Sequence, residues 1–295
     1  MKSAKFIHNP KAGEGSEIEH KIVSSLLKAG YTCSYSSTKE EGWEKLEAGE
    51  EDFIVVAGGD GTVRKVVIEL LNKRLPIGLI PLGTANNIAK TLDLPEDADS
   101  IIQGWSAQRT RPFDVGRIYN LKEEKFFLEG LGFGVFPKLM RAMQKEGKKK
   151  EVPDKKLRTA LELLHDIIMT YEARTCRIQI DDAEYSGNYL MAEVMNTRSI
   201  GPNLNLVPFA DPGDGEFEVV LIAAAQRDQF ANYILSKIMG KEEPAFFNIL
   251  KAKKLKIYWE GVHLHVDDAY IKLSKAIEIK VELQPDAVRF LTVEH

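Results

Sequence analysis

Apolar positions along the 295-residue chain follow two patterns that meet near Asp114. Before it, short apolar runs at Ala4 to His8, Tyr31 to Ser36, Phe53 to Ala57 and Ile77 to Ile80 alternate with segments of helical spacing. Those segments run from about Ser16 to Ala29, after Gly61 and after Thr84. Alternation of this kind predicts βα units on a largely parallel sheet. Beyond Asp114 the runs are strand-like and separated by turns: Phe126 to Leu128, Cys176 to Ile180, Tyr189 to Met195, Phe217 to Ile222, Leu255 to Trp259, His263 to Val266 and Ile277 to Leu283. This half predicts an antiparallel, sandwich-like domain. Two helical segments interrupt it, one at 155–173 with Leu157, Leu161, Leu164 and Ile168 in register, the other after Arg227 with Phe230, Ile234 and Ile238. A last apolar run, Val288 to Val293, follows a Gln284-Pro285-Asp286 turn and could return to either domain.

Composition narrows the function classes. At 44% hydrophobic and 28% charged residues, the chain has the make-up of a globular protein and the length for two domains. Its longest apolar stretches, such as Val219 to Ala225, fall far short of the roughly 20 residues that a membrane-spanning helix needs. Met1-Lys2-Ser3-Ala4-Lys5 leads into a strand rather than a signal-peptide core, so a cytoplasmic location is expected. Cys33 and Cys176 are too few for a disulfide framework or a zinc cluster and are expected to be buried free thiols. A net charge of −4 argues against a nucleic-acid partner.

Three polar turns carry the candidate chemistry. Val55-Val56-Ala57 runs into Gly58-Gly59-Asp60-Gly61-Thr62 and then a helix. Residues without Cβ at the end of a parallel strand let backbone amides approach phosphate oxygens, with the positive end of the helix behind them. Asp60 repels phosphate unless a cation or a proton-bearing hydroxyl intervenes, which points to Mg²⁺ or an acid/base role. The same residues also suit a plain βα turn with an Asp cap. One βα unit later, Pro81-Leu82-Gly83-Thr84-Ala85-Asn86-Asn87 offers hydroxyl and amide groups suited to a nucleotide. Asn9-Pro10-Lys11-Ala12-Gly13-Glu14-Gly15 follows the first strand. Adjacent parallel strands would bring all of these to one sheet edge.

At these residues the sequence resembles the diacylglycerol kinase and sphingosine kinase catalytic family of lipid kinases, particularly its soluble bacterial members. NPKAGEG from Asn9, GGDGT from Gly58, PLGTANNIA from Pro81, Asp114-Val115-Gly116, GLGFG from Gly130, Asn196 and NLVPFADPGDGEFEVVLI from Asn205 carry the resemblance over nearly the whole chain. It implies a three-layer α/β nucleotide domain of the NAD kinase and phosphofructokinase type, over 1–113 with a returning strand at 286–295. A β-sandwich-like lipid domain with helical insertions would occupy 114–285, with catalysis in the cleft between the two. It implies that Asn9, Gly58, Gly59, Asp60, Gly61, Thr62, Gly83, Thr84, Asn86 and Asn87 hold ATP. Asp60 would act on the nucleotide's Mg²⁺ through water, with Asp114 in the same acidic network. Asp214 and the backbone around Glu216, with Asp211 beside them, match the segment that holds a structural Mg²⁺ in bacterial relatives, carboxylates and carbonyl oxygens being suitable hard ligands, although Asp211-Pro212-Gly213-Asp214-Gly215 also reads as a hairpin turn.

The departures from the family pattern are specific. Arg64 and Lys65 follow Val63 where relatives commonly have Asn-Glu, and either pair with phosphates or are solvated. Asn87 replaces an Asp common in the family, and Lys90 an Arg. Val266-Asp267-Asp268-Ala269 stands where the family has Val-Asp-Gly-Glu, so Ala269 occupies the position of the general base and Asp267 or Asp268 becomes the substitute. This Asp pair also reads as a hairpin turn. His8, His263 and His265 match no zinc spacing. The KEGKKK segment from Lys145 is either a solvated loop or a contact for an anionic membrane surface. The expectation is an ATP- and Mg²⁺-dependent kinase of a diacylglycerol-like or long-chain-base lipid, in transient contact with the membrane surface and compatible with homo-oligomers. The alternatives are a nucleotide-binding protein with lost or altered catalysis, or a kinase of a soluble alcohol.

Overall fold

A computed structural model of the chain describes residues 2–12, 16–43, 51–71, 73–146, 153–241 and 247–293. Residues 13–15 of the first polar turn and 147–150 of the basic segment lie outside them. The chain divides into two units, residues 1–115 with 285–295 and residues 116–284.

The first unit contains β1 (Lys2–His8), α1 (Ser16–Lys28), β2 (Tyr31–Ser37), β3 (Phe53–Gly58), α2 (Asp60–Leu70), β4 (Ile77–Pro81), α3 (Asn87–Thr91), α4 (Ala98–Gly104) and most of β5 (Thr110–Tyr119). Strands β2, β1, β3 and β4 lie side by side, all parallel. β3 is buried along its whole length, as an unbroken apolar run requires when both sheet faces are covered. Phe53, Val55 and Ala57 point to one face, where Ile22 and Leu26 of α1, Ile101 and Ile102 of α4, and Trp105 complete a core. Ile54 and Val56 point to the other and are equally buried. Helix α2 buries Val63, Val66, Val67 and Leu70, one stripe at helical spacing, and packs on β3.

The second unit follows with β6 (Phe126–Phe127), β7 (Gly130–Gly134), α5 (Val135–Glu146), α6 (Pro153–Thr170), β8 (Arg174–Ile180), β9 (Ala183–Met195), β10 (Ser199–Ile200), β11 (Leu204–Asn205), β12 (Phe217–Ala223), α7 (Arg227–Ile238), β13 (Ile249–Ala252), β14 (Lys254–Trp259), β15 (His263–Val266), β16 (Ala269–Lys272) and β17 (Glu278–Leu291). Its pairings are antiparallel, in the order β16-β15-β7-β9-β8-β14-β17, with β12 joining β9 to β13. Along β12, Phe217, Val219 and Leu221 enter one core, formed among the strands. Val220 and Ile222 enter a second core, with Leu161, Leu164 and Ile168 of α6 and Phe230 and Ile234 of α7. Two buried faces explain why this strand reads as a continuous apolar run.

The structure corrects three expectations. Gln284-Pro285-Asp286 bends a strand instead of ending one, and β17 runs on to Leu291, where Phe290 pairs in parallel with Ile77 of β4 in the first unit. Pro285 has no N–H to give, and Asp286, at φ 47°, gives its own at 2.8 Å to the Asp114 carboxylate, so a side chain takes the place of a ladder partner. Helix α5 is not among the elements expected from the sequence. Pro137 lies in the first helical turn, where its missing N–H costs nothing, and Val135, Phe136 and Leu139 bury the helix face. Of the two free cysteines only Cys176 is fully buried, its thiol pushed up to about 12 by desolvation, whereas Cys33 is partly exposed.

Candidate active site

Strands β1, β3 and β4 end level with one another: His8 lies opposite Ala57, and Gly58 opposite Pro81. The register therefore gathers the turns that follow them at a single sheet edge. Asn9 bridges two of these turns, its Nδ2 donating to Thr62 Oγ1 at 3.1 Å while its Oδ1 accepts the Lys11 N–H at 3.1 Å. The Gly58 and Pro81 turns pack glycine against glycine. A Cβ added to Gly83 would lie 2.6 Å from the Gly59 Cα, and one added to Gly59 would lie 3.1 Å from the Gly83 Cα. Neither position has room for a side chain unless the turns part. Asn86 takes the left-handed conformation at φ 50° and closes its own turn, accepting the Gly83 N–H at 2.8 Å and donating to the Gly83 carbonyl at 2.9 Å.

Asp60 ties the same two turns from beneath. Its Oδ2 accepts the Asn87 N–H and its Oδ1 the Ile88 N–H, both at 3.1 Å, across 27 and 28 residues of chain. Burial raises its pKa, and those two amides with the Lys90 ammonium oppose the shift without cancelling it. Of the basic pair beyond it, Lys65 faces solvent, but Arg64 is buried at 9% exposure, so the solvated alternative fails for Arg64. Asp114, at 1% exposure, accepts the Asp286 N–H.

In the second unit, Val266-Asp267-Asp268-Ala269 forms the tight turn between β15 and β16 with Val266 paired to Ala269, as the hairpin alternative expected. Asp267 also reaches out of the turn. Its carboxylate accepts the N–H groups of Leu128 at 3.0 and 3.1 Å, Glu129 at 2.8 Å and Gly130 at 3.1 Å. Hydrogen bonds of this number tie the Asp267 carboxylate to the 128–130 backbone. Asp268 is exposed beside it. Behind the turn lies a buried pair that the sequence reading did not single out: His265 Nε2 is 2.8 Å from Glu193 Oε1, and His265 Nδ1 is 3.0 Å from the Asp267 carbonyl. That carbonyl fixes a proton on Nδ1, leaving one proton to lie between Nε2 and Oε1. Burial pulls His265 down, but Glu193 outweighs it and its pKa rises; burial likewise raises Glu193 against the pull of His265. Gly132 makes the space, since a Cβ there would come within 1.7 Å of Glu193 Oε2. The available signal was Glu193 itself, the lone charge in the apolar run from Tyr189 to Met195.

Residues 3–118 match the diacylglycerol kinase catalytic domain, and residues 141–292 match the YegS C-terminal NAD kinase beta sandwich-like domain. The chain belongs to the diacylglycerol kinase family. A diacylglycerol kinase of Bacillus subtilis is 27% identical over 293 residues, covering 92% of this chain and 90% of the relative. One from Staphylococcus epidermidis is 28% identical over 283 residues, covering 91% and 86%. The crystal structure of a diacylglycerol kinase from Bacillus anthracis superimposes with a TM-score of 0.72 over 99% of this chain and 97% of that one, at 21% identity, a likeness of fold. The protein is thus a phosphotransferase of a lipid kinase family, acting on an alcohol acceptor, with an α/β domain followed by a β-sandwich-like one. Among the described residues no helix is long and apolar enough to cross a membrane.

One family feature does not fit this kinase. Asp211 Oδ1 is turned onto the Gly213 N–H at 2.9 Å, and Asp214 Oδ1 onto the Glu216 N–H at 3.0 Å. Asp214 Oδ2 and Glu216 Oε2 each lie 3.1 Å from Lys251 Nζ. Two outward oxygens thus meet an ammonium where the resemblance implies a structural Mg²⁺, and among the described residues no group of three or more His, Cys, Asp or Glu side chains is arranged to hold a metal ion.

Proposed function

We propose that the protein transfers the γ-phosphoryl group of ATP, with Mg²⁺, to the hydroxyl of a diacylglycerol-like or long-chain-base lipid. The observation that carries the reading is the joined edge of the first unit, where Asn9, Gly59, Gly83 and Asp60 fasten three turns into one polar cradle. The cradle suits a polyphosphate. Glycine contacts keep the backbone accessible, α2 starts from the middle turn with its first N–H groups outside the helix ladder, and Thr62 and Thr84 supply hydroxyls. Asp60 has about four lone-pair sites, of which two are used by amides. The others fit a water of the nucleotide's Mg²⁺, an ion that would neutralise charge on the transferred oxygens when bound.

With Asp267 occupied by amides, Asp60 is the proposed acceptor of the lipid hydroxyl's proton. Its raised pKa suits proton handling, and a loose phosphoryl-transfer transition state asks little of the base. Contact with a membrane surface would deliver the lipid, and Phe209, 93% exposed, is an apolar residue suited to it. The test is transfer of label from ATP into a panel of lipids in mixed micelles with Mg²⁺, beside a lipid-free arm with soluble alcohols. A labelled lipid that disappears in Asp60→Ala is the expected result. Ala269 at the usual base position favours one second reading, a nucleotide-binding protein without this activity. Binding of ATP with no labelled product in either arm would select it.

A further inference from the structure

The loop at residues 211–216 carries its own cation. In the family this segment implies a structural Mg²⁺, an ion that demands near-octahedral oxygen ligands at about 2.0–2.1 Å. Here both oxygens of Asp214 and one each of Asp211 and Glu216 already have partners. Asp211 and Asp214 each spend one carboxylate oxygen on an amide of the turn itself, the N–H groups of Gly213 and Glu216. Asp214 Oδ2 and Glu216 Oε2 face Lys251, whose ammonium is equidistant, at 3.1 Å, from the two. The lysine is aimed there by the sheet: β13 pairs antiparallel with β12 so that Lys251 lies directly opposite Glu218, two residues beyond Glu216. Asp214 and Glu216 in turn raise the Lys251 pKa, through their hydrogen bonds first and their charges second, so it is positively charged at neutral pH.

We propose that Lys251 replaces the divalent ion: its ammonium holds Asp214 to Glu216 and anchors the loop to β13, so the second unit closes without metal. A point charge with rotatable donors can bridge two carboxylates in this way without meeting a coordination geometry. A divalent ion would have to displace it, because both outward oxygens converge on the place that Nζ fills.

The test reads structure and is independent of kinase activity. Metal-stripped, nucleotide-free protein is compared with and without about 5 mM MgCl₂ or CaCl₂, above the millimolar range of weak sites. Thermal unfolding is followed together with amide hydrogen exchange over residues 211–218 and 249–252. In the wild-type protein exchange in these segments is expected to be unchanged by either ion. Lys251→Met is expected to lose roughly 2–4 °C in Tm and to exchange faster there. Added ion should then slow that exchange, and Asp214→Asn in the same background should abolish the rescue. Ion-dependent slowing at 211–218 in the wild type would overturn the proposal, and that arm stands even if the variant does not fold. A Lys251→Met protein that folds but ignores both ions would overturn it too, since the lysine would then not be filling an ion's place.

Discussion

Asp60 in the first unit and Asp267 in the second perform a similar mechanical task with different remainders. Each carboxylate reaches across the chain to backbone N–H groups of a separate segment, Asp60 to residues 87 and 88 and Asp267 to residues 128–130. Asp60 gives one oxygen to each amide and keeps lone pairs over. Asp267 places three amides on one carboxylate, with Oδ1 shared among all of them, and is a fastener. Two acidic residues with the same look in the sequence are thus separated by how many donors surround them.

The largest effect that would break this comparison is catalytic. Asp60→Ala is expected to lower kcat of lipid phosphorylation by about 10²–10³-fold, the scale of losing a charge-handling group, whereas Asp268→Ala should stay within a few-fold; a large loss in Asp268→Ala would return the base to the second unit. Next in size is stability. Asp267→Ala strands buried N–H donors and should cost about 3 kcal/mol in denaturant unfolding, at the upper end for an unsatisfied buried group. A cost well under 1 kcal/mol would remove its role as a fastener. Gly83→Ala should weaken ATP binding by about tenfold in calorimetry through a misplaced turn, an effect of about 1.4 kcal/mol, because the new Cβ meets the Gly59 backbone. Equal affinity would mean the turns part easily.

The smallest tests concern pH. Because burial raises the Asp60 pKa, the acid limb of kcat/KM should lie above the ordinary carboxylate range and flatten in Asp60→Asn. Glu218 offers a control without a proposed catalytic role. Burial, with Asp214 and Glu216 nearby, pushes it up to about 7. A carboxyl raised on folding contributes stability fully below its unfolded pKa of about 4.5 and loses it as pH rises through about 7. Glu218→Gln should therefore unfold at a higher Tm than wild type at pH 8, with the gap closing towards pH 5. A constant gap would assign its effect to packing.

What the sequence made legible was local. The GGDGT and PLGTANN turns announce themselves because a glycine turn at a strand end is chemistry written in consecutive residues, and register then follows from the βα order. Fold class followed from hydrophobic period on the same grounds. What stayed hidden depends on partners distant in the chain. The Lys251 bridge to Asp214 and Glu216 joins residues more than thirty apart, and Glu193 meets His265 only because β7 lies between β9 and β15. The motif at Asp267 named a position in the sequence, whereas the three amides around its carboxylate come from a segment more than 130 residues earlier. β17 was read as two strands because Pro285 and Asp286 carry turn chemistry that the Asp114 carboxylate overrides.

That returning strand bears on the order in which the protein is made. Leu291 belongs to the core built on Phe6, Phe53 and Trp105, and Val293 packs against Gly104. The first unit thus needs residues that leave the ribosome after the whole of the second. Synthesis at about 5–20 residues per second leaves the earlier segment waiting many seconds for its last strand. The second unit, contiguous in sequence, has no such delay, and the first unit is completed last although most of its residues are made first.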